Sequence, residues 1–215
     1  MIRLKLDADR IAPRVLCLGC HSDDIEIGCG GTVLRLAEEY PNAEFHWVVF
    51  TAAGVRQTEA NRAASLFAGE KLKEPILKSF KDGFMPYSGA EVKTVFEKEL
   101  KQLSPDVIFT HYGKDAHQDH RLISELTWNT FRSHFILEYE IPKYDGDMGQ
   151  PNVFVPLDNE LCQKKVSHLM EAFQSQRNKH WFQPETFLAL MRLRGMECNA
   201  PGGYAEAFYC RKVSL

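Results

Sequence analysis

The sequence predicts an α/β fold in which a mostly parallel β-sheet is flanked by helices in three layers. Apolar runs of strand length, such as 14–19 (RVLCLG) and 106–111 (DVIFTH), alternate with longer segments of helical periodicity, such as 91–105. The lack of polar alternation within the short runs indicates strands that are buried on both faces, as in parallel sheets. Such sheets bind ligands beyond the carboxyl ends of their strands, so we expect a functional site at that edge.

The individual elements follow from local composition. Strands are predicted where β-branched and aromatic residues cluster, at 14–19, 43–51, 106–111, 135–140 and 152–157. Helices are predicted where good helix formers recur with a period of about 3.6 residues, at 32–40, 56–69, 91–105, 117–132 and 158–176. Gly69 is the expected stop of the second helix, and Asp158 is the expected N-cap of the last. A Gly/Pro/Asp-rich loop at 142–152 is expected near the site.

Composition and charge exclude several classes of protein. The chain has 215 residues and a net charge of −3, which suits one domain spanning 1–215 and gives no reason to expect a nucleic-acid partner. No apolar run approaches the roughly 20 residues that a transmembrane helix needs. Charges interrupt the first residues, so no secretory signal is expected there. We therefore expect a cytoplasmic protein without a transmembrane segment.

Cysteine spacing raises a different hypothesis. Cys17, Cys20 and His21 spell C-x-x-C-H, which is the attachment signature of a c-type haem and would predict an electron carrier. Cys17, however, lies inside a predicted buried strand, and no leader for export is seen. We therefore interpret the spacing as coincidental and Cys20 as a packing residue, and we expect the six cysteines to be reduced thiols.

Two polar clusters follow predicted strands. In the first, His21 and Asp24 are three residues apart and can turn inward to bind one ion, which leaves Asp23 beside the metal to take a proton from water. In the second, His117 and His120 lie on one face at the start of a helix. One histidine of the second cluster would complete a site of two histidines and one carboxylate, with a fourth position open, as in catalytic zinc sites.

These residue types suit metal-assisted hydrolysis of an amide or ester. A metal ion in such a site polarises a carbonyl group and lowers the pKa of its water toward about 7. The other histidine of the second cluster, oriented by Asp119, could donate to the developing oxyanion. Two histidines and a carboxylate bind Zn²⁺, and they also accept Fe²⁺ or Co²⁺.

The same segments carry a family resemblance. The stretch 21–32 (HSDDIEIGCGGT) resembles the signature H-P-D-D-x-E-x-G-x-G-G-T of the PIG-L / LmbE-like zinc deacetylases, and 117–121 (HQDHR) resembles their second motif. The segments 80–84 (FKDGF), 191–195 (MRLRG) and 203–208 (GYAEAF) are similar to further parts of that family. The resemblance implies a Rossmann-like α/β fold and removal of the acetyl group from an N-acetylated amino sugar, often N-acetylglucosamine joined to another group.

The resemblance also implies a role for each matching residue. It implies three zinc ligands, which are His21, Asp24 and His120. It makes Asp23 the general base, and it makes His117 the acid that stabilises the oxyanion, with Asp119 as its partner. Arg56 and Asp82 are implied more weakly, as residues that hold sugar hydroxyls.

The sequence departs from the family pattern at two places. Ser22 replaces the usual proline, which loosens the backbone but removes no chemical group, so we expect the site to survive. The segment 51–56 (TAAGVR) replaces a threonine-glycine-glutamate segment, which puts substrate contacts there in doubt. The glycines of 28–32 (GCGGT) are expected to let the backbone pass close to the metal loop, and His111 is expected to support the site rather than bind the metal.

The leading hypothesis is a zinc-dependent hydrolase that deacetylates an N-acetyl amino sugar or sugar conjugate. One alternative is a zinc amidase of the same mechanism that acts on a small non-sugar amide. A second is a non-catalytic descendant that binds a sugar or nucleotide. Under the leading hypothesis, the expected partner is the sugar substrate. The sequence does not decide whether the chain forms a homo-oligomer.

Overall fold

A computed structural model describes residues 12–214 of the chain. Its strands are β1 (Arg14–Gly19), β2 (Glu44–Val49), β3 (Ile76–Leu77), β4 (Val107–His111), β5 (Phe135–Tyr139), β6 (Val153–Leu157) and β7 (Tyr204–Tyr209). Its α-helices are α1 (Asp24–Glu39), α2 (Val55–Ala68), α3 (Gly89–Val95), α4 (Gln118–Thr130), α5 (Asn159–Ala172) and α6 (Pro184–Glu197). No helix between residues 12 and 214 combines the length and apolarity that crossing a membrane requires.

The strands form one seven-stranded sheet in the order β3-β2-β1-β4-β5-β7-β6. The first five strands are parallel, whereas β7 runs antiparallel to β5 and β6 runs antiparallel to β7. Strand β1 lies between β2 and β4, with Val15 opposite both Phe45 and Val107. The loops that follow β1 and β4 therefore leave the same edge of the sheet side by side, as the predicted mostly parallel α/β fold requires.

Each face of the sheet has its own core. Along β1, Val15 and Cys17 pack into one cluster with residues of α1, α2, α5 and α6. Leu16 and Leu18 point to the other face and pack with residues of α3 and α4. This alternation explains why the strand is apolar throughout, because both of its faces are covered by helices. The result is the predicted three-layer arrangement.

The first helix begins earlier than predicted. Helix α1 begins at Asp24 rather than at residue 32, so the glycine-rich stretch 28–32 lies inside the helix. The glycines are needed for close packing. A Cβ atom on Gly28 would overlap the Tyr139 ring of β5, and one on Gly30 would overlap the Phe67 ring of α2. The cost of glycine in a helix is thus offset by contact with the sheet and a neighbouring helix.

The predicted helix ends are confirmed in two cases. Gly69 is the C-cap of α2 with a φ of 56°, and the Asp158 side chain caps α5 by accepting a hydrogen bond from the Leu161 amide at 2.8 Å. The predicted helix 91–105 is shorter, because α3 passes into a π-helical turn at Phe96–Leu100 and a 3₁₀ turn at Lys101–Leu103. Elements β3, α6 and β7 were not predicted.

A buried ion pair joins α1, α5 and β7. The Lys165 ammonium lies 2.6 Å from a Glu206 carboxylate oxygen and also donates to the Ile27 carbonyl. The Glu206 carboxylate accepts from the backbone amides of Gly31 and Thr32 at 2.8 and 2.6 Å. Burying charge is costly unless every polar atom finds a partner. Here the charges are paired and bonded to backbone, which allows a glutamate inside strand β7.

The cysteine expectations are also met. All six cysteines are free thiols, and the Cys17 and Cys20 side chains are fully buried. Covalent haem attachment needs accessible thiols, which this pair does not offer. Cys20 Sγ contacts Met85 Sδ at 3.2 Å, and burial raises the pKa of this thiol to about 12. These contacts support its interpretation as a neutral packing residue.

Candidate active site

The two polar clusters of the sequence meet at the carboxyl edge of the sheet. His21 follows β1, Asp24 is the first residue of α1, and His120 lies in the first turn of α4. His21 Nδ1 lies 3.0 Å from His120 Nε2 and 3.3 Å from Asp24 Oδ2. His120 Nε2 lies 3.6 Å from the same Asp24 oxygen. These three potential ligand atoms form a small triangle, which we call the ligand triangle. It forms even though Ser22 replaces the proline of the family pattern.

The ligand triangle has the dimensions of a tetrahedral metal site. Zinc bonds of about 2.0–2.2 Å to nitrogen and oxygen place neighbouring ligand atoms about 3.3–3.6 Å apart at tetrahedral angles. The three measured separations, from 3.0 to 3.6 Å, lie at or close to that range. Other donors surround the same point. Within the described residues, convergent sets include His117 with His21 and His120, His111 with Asp24 and His120, and Cys20 with His21 and Asp119.

Two ligand-triangle residues have charge states that suit a divalent cation. The third, His21, must lose a proton to bind one, because burial alone would lower its pKa but Cys20 and Asp24 raise that pKa well above the usual value. Burial lowers the pKa of His120 to about 4, so its imidazole is neutral and keeps a lone pair for a metal. Burial alone would raise the pKa of Asp24, but His120, His111 and His21 around it hold that pKa well below its usual value. A neutral imidazole and an ionised carboxylate are the forms in which these groups bind metals.

Asp115 fixes the orientation of His120. Its Oδ2 lies 3.0 Å from His120 Nδ1 and 3.0 Å from the Lys143 ammonium, and its Oδ1 accepts from the His117 amide at 2.8 Å. Burial alone would raise the pKa of Asp115, but hydrogen bonding and charge from His120, with His111 and Lys143, hold it below its usual value. A carboxylate on the distal nitrogen of a metal-binding histidine fixes the ring and its tautomer.

Asp115 was missed in the sequence, although it precedes His120 by only a few residues. The turn in which the Asp115 amide bonds to the Tyr112 carbonyl brings the carboxylate back onto the helix start, and no local pattern marks that turn. Lys143 belongs to the loop 142–152, so this contact also confirms that the loop lies near the site.

Asp82 contacts His21 in the same way that Asp115 contacts His120. Its Oδ1 lies 3.0 Å from His21 Nε2, the nitrogen that does not belong to the ligand triangle. The Asp82 side chain is 73% exposed, in contrast to Asp115, which is 2% exposed. Asp82 was expected to hold sugar hydroxyls. The structure places it beside the predicted metal ligand, with most of its surface open to solvent.

Asp23 is buried next to the ligand triangle but belongs to a different network. Its Oδ1 lies 2.7 Å from Arg56 Nη2, and Arg56 Nη1 bonds to Glu59 Oε2 at 2.9 Å. Burial raises the pKa of Asp23, while the Arg56 charge opposes that rise only in part. Arg56 was expected to contact sugar hydroxyls. In the structure its guanidinium is occupied by two carboxylates and holds Asp23 in place.

His117 lies at the N-cap position of α4, with its ring centroid 5.0 Å from that of His21 and 4.6 Å from that of His120. Its Nδ1 is buried without a hydrogen-bond partner among the described residues. Burial lowers the pKa of His117, and the neighbouring charge of His21 lowers it further. The ring is therefore a neutral N–H donor beside the ligand triangle.

Asp119 was expected to partner His117, and the structure gives its hydrogen bonds. The Asp119 carboxylate accepts from the backbone amides of Gly83 and Met85, at 2.7 and 3.2 Å. Within residues 12–214, no hydrogen bond joins the Asp119 and His117 side chains. Asp119 therefore anchors the segment that follows β3.

His111, which was expected to support the site rather than bind the metal, contacts Asp24 and the loop after β1. It is fully buried at the end of β4, and its Nε2 accepts from the Cys20 amide at 2.9 Å. The same nitrogen lies 3.2 Å from the Tyr139 hydroxyl and 3.2 Å from Asp24 Oδ2. His111 thus contacts both the loop after β1 and one residue of the ligand triangle.

Comparison with known proteins gives the family. The PIG-L family, described as GlcNAc-PI de-N-acetylase, matches residues 16–131, which include both polar clusters. This chain belongs to the PIG-L family of deacetylases. The uncharacterised deacetylase YaiS of Escherichia coli K12 is 29% identical over 167 residues, which cover 72% of this chain and 88% of YaiS.

Solved structures show the same fold. The N,N'-diacetylchitobiose deacetylase of Pyrococcus horikoshii, solved with its inhibitor MPG, aligns with a TM-score of 0.75 and 23% identity over 92% of this chain and 83% of that chain. The 4-carboxy-2-hydroxymuconate hydratase GalB of Pseudomonas putida KT2440 aligns with a TM-score of 0.68 and 16% identity over 94% and 98%. A hydratase on this fold means that the reaction must be argued from the site.

Proposed function

We propose that this protein is a zinc-dependent N-deacetylase that removes the acetyl group from an N-acetylated amino sugar or sugar conjugate. The observation that carries the proposal is the ligand triangle, at metal-site spacing, together with Asp23, a buried carboxyl that directly precedes Asp24 in the chain. Membership of the PIG-L family and the similarity to a diacetylchitobiose deacetylase support an N-acetyl sugar as the substrate class.

The metal would be held by His21, Asp24 and His120. When bound, zinc supplies a Lewis acid that polarises the acetyl carbonyl and lowers the pKa of water toward about 7. The donor set of two imidazoles and one carboxylate also accepts Fe²⁺ or Co²⁺, so either ion is expected to support some activity. Asp115 keeps the His120 ring aligned through its bond to Nδ1.

Asp23 acts as the general base. It takes a proton from the attacking water while the water oxygen adds to the acetyl carbon. The raised pKa of Asp23 brings the group nearer to neutral pH, where a general base is most effective. Arg56 bonds to one oxygen of Asp23 and fixes the carboxylate, so little reorientation is needed when the proton moves.

His117 stabilises the oxyanion that forms on the acetyl oxygen. Its lowered pKa makes the ring a neutral N–H donor. Among the described residues, no group forms a hydrogen bond with its buried Nδ1. The C–N bond then breaks, and the proton held by Asp23 passes to the amine nitrogen. The products are acetate and the free amino sugar.

A panel of amides tests this proposal. Acetate release is measured with N-acetylglucosamine in free, nucleotide-linked and lipid-linked form, and with N-acetylglycine as a small non-sugar amide. We expect turnover of at least one sugar substrate. Turnover of N-acetylglycine alone would indicate the amidase alternative, and no turnover by the zinc-loaded protein would indicate a binding protein.

A further inference from the structure

Glu59 is a buried carboxylate of α2 that has no part in the steps of catalysis proposed above. Its side chain is 6% exposed, and it lies three residues after Arg56 on the same helix. Glu59 Oε2 accepts a hydrogen bond from Arg56 Nη1 at 2.9 Å. A buried charge is costly unless it is paired and hydrogen-bonded. Arg56 is therefore the ion-pair partner that allows Glu59 to be buried.

The turn at Gln174–Gln176, which follows α5, fixes the Glu59 carboxylate. The Ser175 amide donates to Glu59 Oε1 at 2.8 Å, and the Ser175 hydroxyl donates to Glu59 Oε2 at 2.7 Å. The buried Gln176 side chain donates to the Ser175 hydroxyl oxygen at 2.9 Å. Because one residue bonds to both carboxylate oxygens, Glu59 cannot rotate without breaking these bonds. Glu59 is thus a fixed acceptor for Arg56.

Glu59 leaves only part of the Arg56 guanidinium free to bind Asp23. Arg56 Nη1 bonds to Glu59, whereas Arg56 Nη2 bonds to Asp23 Oδ1 at 2.7 Å. The guanidinium also lies over the buried Phe173 ring, with Arg56 Cζ 5.6 Å from the ring centroid. A guanidinium frequently binds one carboxylate through two parallel N–H···O bonds. Here Glu59 takes one of the two terminal nitrogens, so Arg56 bonds to a single oxygen of Asp23.

We infer that Glu59 is a positioning residue for the general base, because its hold on Arg56 Nη1 restricts Arg56 to one oxygen of Asp23. The inference rests on the proposed deacetylase function, in which Asp23 takes a proton from water. An Arg56 that bonded to both Asp23 oxygens would have to release one of them before the carboxylate could accept that proton. Restriction of Arg56 to Oδ1 keeps Oδ2 available for the water. Glu59 acts through Arg56 and not on the substrate.

Glu59→Leu tests the inference, because leucine fills a similar volume and cannot accept a hydrogen bond. Arg56 would then be drawn to Asp23 through both terminal nitrogens. We expect kcat for acetate release to fall about 10- to 50-fold, which is part of the 10²- to 10⁴-fold that a general base contributes. KM should stay within about 2-fold of the wild-type value, because substrate binding is not changed. Zinc content should also stay at the wild-type level.

Two further carboxylate variants serve as conservative variant and control. Glu59→Gln keeps an oxygen that can accept from Arg56, so we expect a smaller loss in kcat, about 3- to 10-fold. Wild-type kcat in Glu59→Gln would overturn the inference, and this holds even if Glu59→Leu fails to fold. The matched control is Glu171→Leu, which removes an exposed carboxylate of α5 that pairs with Arg62 of α2. This control should have wild-type kcat.

The route through Arg56 is tested in the Arg56→Met background. Glu59→Gln should lower kcat no further in that background, because the residue that transmits its effect is absent. The same fold loss in both backgrounds would show that Glu59 does not act through Arg56, and it would overturn the inference.

Crystal structures of the metal-free wild-type and Glu59→Leu proteins give a readout that does not depend on activity. We expect Arg56 Nη1 to bond to Glu59 in the wild type and to Asp23 Oδ2 in the variant. An Arg56 side chain that keeps its wild-type position in the variant would overturn the inference. If the wild type releases acetate from no substrate, the deacetylase proposal fails, and the position of Arg56 still decides whether Glu59 restricts it.

Discussion

The metal affinity of the site should depend strongly on Asp115. Asp115→Asn keeps the shape of the side chain but removes the charge that faces His120 Nδ1 and the Lys143 ammonium. The His120 ring would then lose its fixed orientation, and Lys143 would lose a buried partner. Removing such a carboxylate typically costs about 10- to 100-fold in metal affinity, or about 1.4–2.7 kcal/mol.

Asp82→Asn provides a matched comparison. Asp82 makes the same kind of contact, with the distal nitrogen of His21 at 3.0 Å, but its side chain is 73% exposed. Water can replace an exposed partner, so the expected loss of zinc affinity is no more than about 3-fold. The two variants therefore compare a buried carboxylate that also pairs with Lys143 with an exposed carboxylate, each on the distal nitrogen of a ligand-triangle histidine.

Zinc affinity is measured by competition with a chromophoric chelator at constant pH. Thermal unfolding of the metal-free proteins shows whether either substitution disturbs the fold. Equal losses for the two variants, or wild-type affinity in Asp115→Asn, would refute the reasoning that the buried carboxylate orients His120.

Further substitutions separate the roles of neighbouring residues. Asp23→Asn should lower kcat for acetate release by about 10²- to 10⁴-fold while metal content, measured by elemental analysis, stays near the wild-type value; normal release would reject Asp23 as the base. His120→Ala should lose zinc, whereas Cys20→Ala should retain zinc and activity, because its buried thiol is neutral. Lys165→Met should lower the free energy of unfolding in urea by about 3–5 kcal/mol. The control Lys164→Met, at an exposed pair with Glu38, should change it by less than about 1 kcal/mol.

Local patterns predicted the parts of the fold that rest on one strand or one helix. Strand β1 was predicted with its observed bounds, because a strand buried on both faces is apolar at every position. Strand β7 was missed, because Glu206 interrupts its apolar pattern. That glutamate is compatible with the core only through Lys165 and the amides of Gly31 and Thr32, which lie far away in the sequence.

In the site, too, some contacts were predicted from the sequence and others depend on residues that are distant in the chain. His21, Asp24 and His120 were predicted to come together, and they do so because β1 and β4 are neighbours in the sheet. The contacts that orient them were not predicted. Asp115 reaches His120 through a turn, and Asp119 accepts the backbone amides of Gly83 and Met85. Such contacts depend on the tertiary fold, which residue spacing does not contain.

The most direct measurement is acetate release from N-acetyl sugar conjugates by protein that has been stripped of metal with a chelator and then titrated with zinc. We expect no release from the stripped protein and a rate that rises with zinc until a single equivalent per chain is bound. The His120→Ala protein should not recover under the same titration. Release that persists after complete metal removal would contradict the proposed catalytic role of the ligand triangle.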